Sequence, residues 1–238
     1  MRQVHLQDLG LCDYKEAWDY QEKIFQNTIR EKMARRQARN PEAIATKDHL
    51  LLVEHPHVYT LGKSGHMAHL LANKDELVEV GVAFYKTNRG GDITYHGPGQ
   101  LVAYPILDLD HFFTDIHKYL RYLEDIIIQI LSGYGLRGMR SKGETGVWLD
   151  AGTPFARKIC AMGVRTSRWV TMHGLAFNIN ADLGYFDQII PCGIENKAIT
   201  SLQCELKREV PMSEVKEKFK KCFESVFEVA LIPDQMLL

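Results

Sequence analysis

Cysteine is scarce in this chain and never arranged as a framework. There are five, Cys12, Cys160, Cys192, Cys204 and Cys222, an odd number at wide spacing with no C-x-x-C pair. That excludes a disulfide scaffold and offers no zinc-ribbon or thioredoxin-like motif. Long apolar runs are missing too, since no stretch approaches the roughly 18 consecutive apolar residues of a membrane-spanning helix. Excess charge is also lacking: 29 basic residues stand against 30 acidic ones, whereas a dedicated nucleic-acid binder is strongly basic. Low-complexity linkers and internal repeats are absent, so one domain over residues 1–238 is expected. The opening Met1-Arg-Gln-Val-His-Leu-Gln-Asp8 has no apolar signal region and carries an early acid, unlike a transit peptide. Together these absences predict a reduced, cytoplasmic protein with a thiol free to act, no membrane and no nucleic acid.

What is present is a mixture of helical and strand patterns. Asp13 and Glu16 form a capping box ahead of a helix with Trp18, Phe25, Ile29 and Met33 on one side. The basic run Lys32 to Arg39 closes it, at the negative end of the helix dipole, and Asn40-Pro41 marks the exit. Leu50 to Glu54 reads as a buried strand, with Val58 to Leu61 as its short extension, followed by a short helix near Asn73 to Val80 and a strand at Ala83 to Thr87. Ile116, Tyr119, Leu120, Leu123, Ile127 and Ile130 recur at helical spacing, ended by Gly133 and Gly135. Strands follow at Gly146 to Leu149, Lys158 to Arg165 and Val170 to Asn180, the last two joined by a turn around Ser167. A last helix begins at Ser213, with Phe219, Cys222, Phe223 and Phe227 in its apolar stripe. Without regular β-α alternation the class is α+β, with a mixed or antiparallel sheet.

The densest information lies in Arg89-Gly-Gly-Asp-Ile-Thr-Tyr-His96-Gly-Pro-Gly-Gln100, which runs straight into the apolar segment Leu101 to Leu107. Glycine serves where backbone turns sharply or approaches a ligand closely, and so many hydrogen-bonding side chains beside it suit recognition of a polar ligand end. No Walker loop or dinucleotide fingerprint is present. Cys192 sits between Pro191 and Gly193, on irregular backbone. A cytosolic cysteine is ordinarily a small buried hydrophobe, as expected for Cys222 on its helix and Cys160 in its strand. The flanks of Cys192 instead favour exposure. A nucleophilic thiol needs a device that makes thiolate at neutral pH, and Lys158, heading a strand that otherwise reads as interior, is the candidate. His55 and His57 have His-x-His spacing, but no third ligand completes a metal site, so no metal is expected.

The tract from Arg89 to Tyr104 resembles the signature of the lipoate-protein octanoyltransferases, R-G-G-x-x-T-aromatic-H-x-x-G-Q-x-aliphatic-x-Y, at every fixed position. The K-I-x-x-x-G segment at Lys158, the H-G-x-A-x-N segment from His173 and the P-C-G around Cys192 follow in the family's order. The resemblance spans about Glu54 to Gly193. It implies the biotin/lipoate protein ligase-like (class II synthetase-like) fold, a mixed β-sheet flanked by helices with a smaller second sheet. It also implies a catalytic pair, Cys192 and Lys158. Substrate binding would fall to Arg89, Gly90, Gly91, Asp92, Ile93, Thr94, Tyr95 and His96, to Ala161, Met162 and Gly163, and to Gly174, Leu175 and Ala176. Tyr95 would wall an apolar tunnel, and small residues within strands would let an acyl chain lie against backbone.

The implied reaction moves an octanoyl group from octanoyl-acyl carrier protein to a lysine of a lipoyl domain, in 2-oxoacid dehydrogenase E2 subunits or the glycine cleavage H protein. A Cys192 thioester would carry it, with neither ATP nor metal. The seven basic residues against two acids between Arg137 and Arg168 read as a solvated face, or in this setting as a docking patch for acidic partners. Alternatives within the same fold are an ATP-dependent lipoate or biotin ligase and a lipoyl-domain amidotransferase. A non-catalytic binding module is the alternative of a different class.

Overall fold

The computed structural model describes residues 1–38, 45–73, 77, 79, 81–190 and 198–234. The expected exit at Asn40-Pro41, most of the short helix near Asn73 to Val80, and Cys192 with its flanks lie outside the described residues. In chain order the elements are β1 (Arg2–Leu11), α1 (Tyr14–Gln37), β2 (Asp48–Glu54), β3 (Val58–Leu61), β4 (Ala83–Lys86), β5 (Ile93–His96) and β6 (Gln100–Ile106). Then come α2 (Ile116–Ser132), β7 (Met139–Ser141), β8 (Glu144–Leu149), β9 (Arg157–Ser167), β10 (Val170–Asn178), β11 (Ala198–Ile199), α3 (Leu202–Leu206), α4 (Met212–Phe227) and β12 (Val229–Pro233).

The large sheet is ordered β12-β1-β2-β6-β10-β9-β8-β7, with β11 beside β9. It is mixed: β12, β1 and β2 pair in parallel, as do β11 and β9, while the centre is antiparallel. A second sheet, β4-β3-β5, stands apart from it. The expected mixed α+β architecture with a smaller second sheet is therefore what the chain adopts. Val58 to Leu61 does not extend β2, however. His55 and Pro56 turn the chain out of the large sheet, and β3 becomes the centre of the small one.

The layers follow from side-chain parity. On β6 and β10, Leu101, Ala103, Leu175 and Phe177 face one side and pack with the apolar stripes of α2 and α4. Val102, Tyr104 and Ala176 face the other, against Ile24, Phe25 and Ile29 of α1. Asp13 caps α1 by accepting from the backbone of Lys15 and Glu16, and Asp115 caps α2 in the same way. The turn between β9 and β10 places Arg168 and Trp169 at φ +49° and +65°, the left-handed pair that matches hairpin twist.

Two expectations for α1 need correction. Met33 is 39% exposed, whereas Lys32 is buried. The Lys32 ammonium lies 2.5 Å from Asp108 Oδ1 and 2.8 Å from Asp110 Oδ2, and Thr46 donates to Asp108 Oδ2 at 2.9 Å. Lys32 is thus the internal counter-ion of the segment after β6, not a cation on the helix end.

Candidate functional site

The signature tract is two structures in succession: a loop over Arg89–Asp92, then strand β5. Arg89 is buried and clamps it. Its Nε donates to Thr60 Oγ1 at 3.2 Å, and its Nη2 to the Thr60 carbonyl at 2.5 Å. The backbone joins in, Lys63 N–H meeting the Arg89 carbonyl at 2.9 Å and Gly90 N–H meeting the Val164 carbonyl at 2.9 Å. This last bond sets the loop directly on β9. A Cβ at Gly163 would lie 2.6 Å from the Gly90 carbonyl oxygen, so only glycine permits the approach.

Past the loop, β5 alternates. Thr94 and His96 turn to one side, while Tyr95 is fully buried on the other. Its ring stacks 4.9 Å from Tyr185 and its hydroxyl is hydrogen-bonded to His57 Nδ1 at 2.7 Å. The expected tunnel wall at Tyr95 is therefore corrected: strand parity sends this ring into the core of the small sheet. His57 serves that core and His55 another set, bonded to Tyr104 and the Cys12 carbonyl, so the two histidines do not converge. Among the described residues no cluster of three metal-ligating side chains occurs.

A chain of polar contacts ties the signature to the strand bearing Lys158. His96 Nδ1 is 2.8 Å from Gln100 Oε1, Gln100 Nε2 donates to Asn178 Oδ1 at 2.9 Å, and Asn178 Nδ2 to the Thr200 carbonyl at 3.0 Å. Thr200 N–H then meets the Lys158 carbonyl at 2.9 Å. Beside it, β11 pairs Ile199 with Lys158, and the Lys158 ammonium sits 4.6 Å from the ring centre of Trp148 on β8.

These elements enclose a cavity of about 500 Å³, within the range of small-molecule sites. Lys158 lines it with Arg89, Gly90, Gly91, Asp92, Ile93, Thr94, His96, Ala161, Met162, Gly163, Gly174, Leu175 and Ala176. All the expected site residues thus meet in one place, except Tyr95 and Cys192, the latter outside the described residues. The register explains the space. Ala161 pairs with Ala176 and Gly163 with Gly174 across β9 and β10, so the face of the sheet these four residues share carries nothing larger than a methyl group.

Tyr14, Val102, Tyr104, Phe186 and His173 are among the further residues that line it, with Gln100 from the signature tract, and sequence reasoning assigned none of the first five to the site. Tyr104 and Gln100 close the signature itself, and His173 heads the H-G-x-A-x-N segment, so those three carried a signal. Tyr14 comes from α1, far away in sequence, and carried none.

Electrostatically the cavity joins Arg89 and Lys158, the carboxylates of Asp92 and Glu144, and uncharged aromatic groups. Burial pushes His173 down to about 3, helped by Arg89 and Arg165, and burial with His55 nearby pushes His96 down to about 3. Burial raises Tyr14 to about 12. Cys160, fully buried on the opposite face, is pushed far above a thiol's usual range by desolvation. It is an inert core residue, as its strand position suggested. Three of the basic residues between Arg137 and Arg168 are answered within the chain, Arg140 by Glu124 and Asp125, Arg157 by Asp150 and Glu205, and Arg165 by Glu22.

Comparison with known proteins agrees with this geometry. Residues 13–224 match the family model of the lipoyl protein ligase A/B catalytic domain. The chain is 62% identical to an octanoyltransferase of Christiangramia forsetii over 231 residues, 97% of this chain and 98% of that protein. It is 61% identical to an octanoyltransferase of Flavobacterium psychrophilum, covering 96% of this chain and 98% of the relative. Among solved structures, a bipartite lipoate protein ligase studied with its E2 lipoyl domain from Thermoplasma acidophilum superposes with a TM-score of 0.72. That likeness covers 99% of this chain and 88% of the other at 16% identity, and speaks for the fold alone.

Proposed function

The chain belongs to the lipoyl protein ligase A/B catalytic-domain family, and from that premise we propose an octanoyltransferase of protein lipoylation working through a cysteine thioester. Identity above 60% with octanoyltransferases over nearly the whole chain carries the reaction. The small-residue floor, ending toward Lys158, supports the chemistry. Acceptors are lipoyl domains, and we take octanoyl-acyl carrier protein as the donor.

In the first half-reaction the Cys192 thiolate, its proton passed to Lys158, attacks the donor's thioester carbonyl. The tetrahedral oxyanion collapses by breaking the bond to the carrier sulfur, which leaves with the proton. Thioester replaces thioester, so no ATP is needed. In the second, the amine of the target lysine attacks the octanoyl-cysteine, gives a proton back through Lys158, and forms an amide as the Cys192 thiolate departs. Pairing of β8 with β9 ends at Val147–Cys160, which supports the backbone amides of residues 161–163 as oxyanion donors. The chain leaves the described structure at Ile190, bonded to the His69 carbonyl at 2.8 Å, and re-enters it at Ala198 beside Arg157. At the second of these ends Ile199 pairs with Lys158, which supports a thiol working with that lysine.

Intact-mass analysis after mixing with octanoyl-acyl carrier protein, without ATP, tests this. Wild type acquires one hydroxylamine-labile octanoyl group, Cys192→Ser none, and a lipoyl domain discharges the adduct. No adduct, with acyl-adenylate formed from free octanoate and ATP, overturns the proposal in favour of a ligase.

A further inference from the structure

The cavity has two unlike ends. Lys158 stands at one, near the start of β9. Going along that strand, Ala161 meets Ala176 and Gly163 meets Gly174. At about 3.3 Å per residue, this carries the small-residue floor roughly 16 Å from Lys158. There the small residues end. The next residue out along β10 is His173, and Gly174 is pressed against β6 on either side of Tyr104, where a Cβ would collide with the Ala103 carbonyl and lie 2.9 Å from Pro105 Cδ. His173 and Tyr104 both line the cavity, and so does Tyr14, the first residue of α1.

Tyr14 binds that end together. Its ring is 2% exposed. It stacks on His96 with centroids 5.8 Å apart and planes 13° from parallel, stacks on Tyr85 at 5.6 Å, and meets the edge of His55 at 5.1 Å. His55 is in turn bonded to the Tyr104 hydroxyl at 2.8 Å. Trp18, one turn along α1, lies 6.2 Å from Tyr14 and 6.4 Å from His173. The rings of Tyr14, Tyr104, His96 and His173 thus form one connected wall, and none is charged near neutral pH. Burial raises Tyr14 to about 12 and holds His96 and His173 at about 3. Neutral aromatic faces suit the methyl end of an acyl chain.

We propose that Tyr14 is the acyl-length stop of this cavity, the far end of the octanoyl chain abutting its ring while the carbonyl end lies toward Lys158. The identity of the chain rests on the octanoyl-transfer reading; the place of the stop does not. Tyr14 closes the end from outside the sheet, held on several sides by other rings. A longer chain must therefore displace packed rings rather than a mobile side chain, and a close-packed wall yields little. One surplus methylene in such a slot discriminates about 10–200-fold.

Transfer from octanoyl-, decanoyl- and dodecanoyl-carrier protein is compared in wild type, Tyr14→Leu and Tyr14→Ala. The decanoyl-to-octanoyl ratio of kcat/KM is expected to rise about tenfold or more in both variants, with dodecanoyl gaining most in Tyr14→Ala. An unchanged ratio in a variant that transfers octanoyl overturns the stop. A second measurement needs no variant: the wild-type chain is crystallised with ω-bromooctanoic acid and the bromine located by its anomalous signal. It is expected against the Tyr14 ring, within about 4.5 Å. Bromine elsewhere, or no bound acid, overturns the proposal. A wild type that transfers no acyl group overturns the octanoyl-transfer reading instead, and the bromine position still decides the stop.

Discussion

Lys158 and Trp148 face each other across β9 and β8, the ammonium 4.6 Å from the indole ring centre. The ring, 2% exposed, gives the lysine a fixed seat at the cavity end of its strand. An aromatic replacement should preserve that seat and an aliphatic one should not. Trp148→Phe is expected to keep octanoyl transfer within about threefold of wild type and Trp148→Leu to lower it about tenfold, from the worth of a desolvated cation–π contact. Single-turnover acylation rates decide it; equal losses in both variants would mean that only packing is at stake.

The Ala161–Ala176 pair makes a sharper case for where the acyl group lies. In a filled core an enlarged residue costs about 1–3 kcal/mol in overpacking. Ala176 borders open space, so Ala176→Leu has somewhere to go. The expected result is a melting temperature close to wild type together with a loss of octanoyl transfer of a hundredfold or more, on the order of the effect of misplacing bound reactants. A stable and fully active Ala176→Leu protein would remove this floor from the substrate's path.

Stability should depend on pH in a window set by buried histidines. His49 and His55 are each held down to about 4, and His96 and His173 to about 3, burial leading in every case. Unfolded, each returns to about 6.5. Between these values the unfolded chain binds more protons than the folded one, so stability is full above about 6.5 and falls as pH drops toward 4 and below. Each histidine contributes a slope of about 1.4 kcal/mol per pH unit within that window. Denaturant midpoints from pH 7 to 5 should fall steeply, and less steeply in His49→Gln; a flat profile would contradict the burial of these rings.

Lys32 stabilises by pairing rather than by its charge alone. Lys32→Met leaves Asp108 and Asp110 without their ammonium, and a cost of about 3–5 kcal/mol is expected. Lys32→Met with Asp108→Asn should recover much of it, because the stranded buried charge is gone. Urea unfolding of the three proteins measures the difference.

The sequence revealed the parts of this molecule whose signals are local. The signature loop, the helix cap at Asp13, and the apolar stripes of α2 and α4 depend on neighbours a few residues away. Strand β5 was concealed inside the glycine-rich tract because four residues between loops carry too little alternation to register. With it went the orientation of Tyr95, which depends on a one-residue parity. Lys32 was misplaced for a different reason: its partners, Asp108 and Asp110, are distant in sequence, and nothing near the helix end announces them. The same holds for the basic segment between Arg137 and Arg168, whose counter-ions Glu22, Glu124, Asp125 and Glu205 come from three helices. Tyr14 reaches the cavity only because α1 packs across β6 and β10.

Strand β1 pairs in parallel with β2 on one side and with β12 on the other, Arg2 lying opposite Val229 and Leu6 opposite Pro233. As the ribosome delivers the chain, β1 emerges before every other strand of its sheet, yet half of its backbone groups must wait for β12, the last of them to be made. Until then the nascent sheet has an open flank, to be shielded by water, by a chaperone or by α1, and the slow closing of that long loop is the step where folding and mispairing compete.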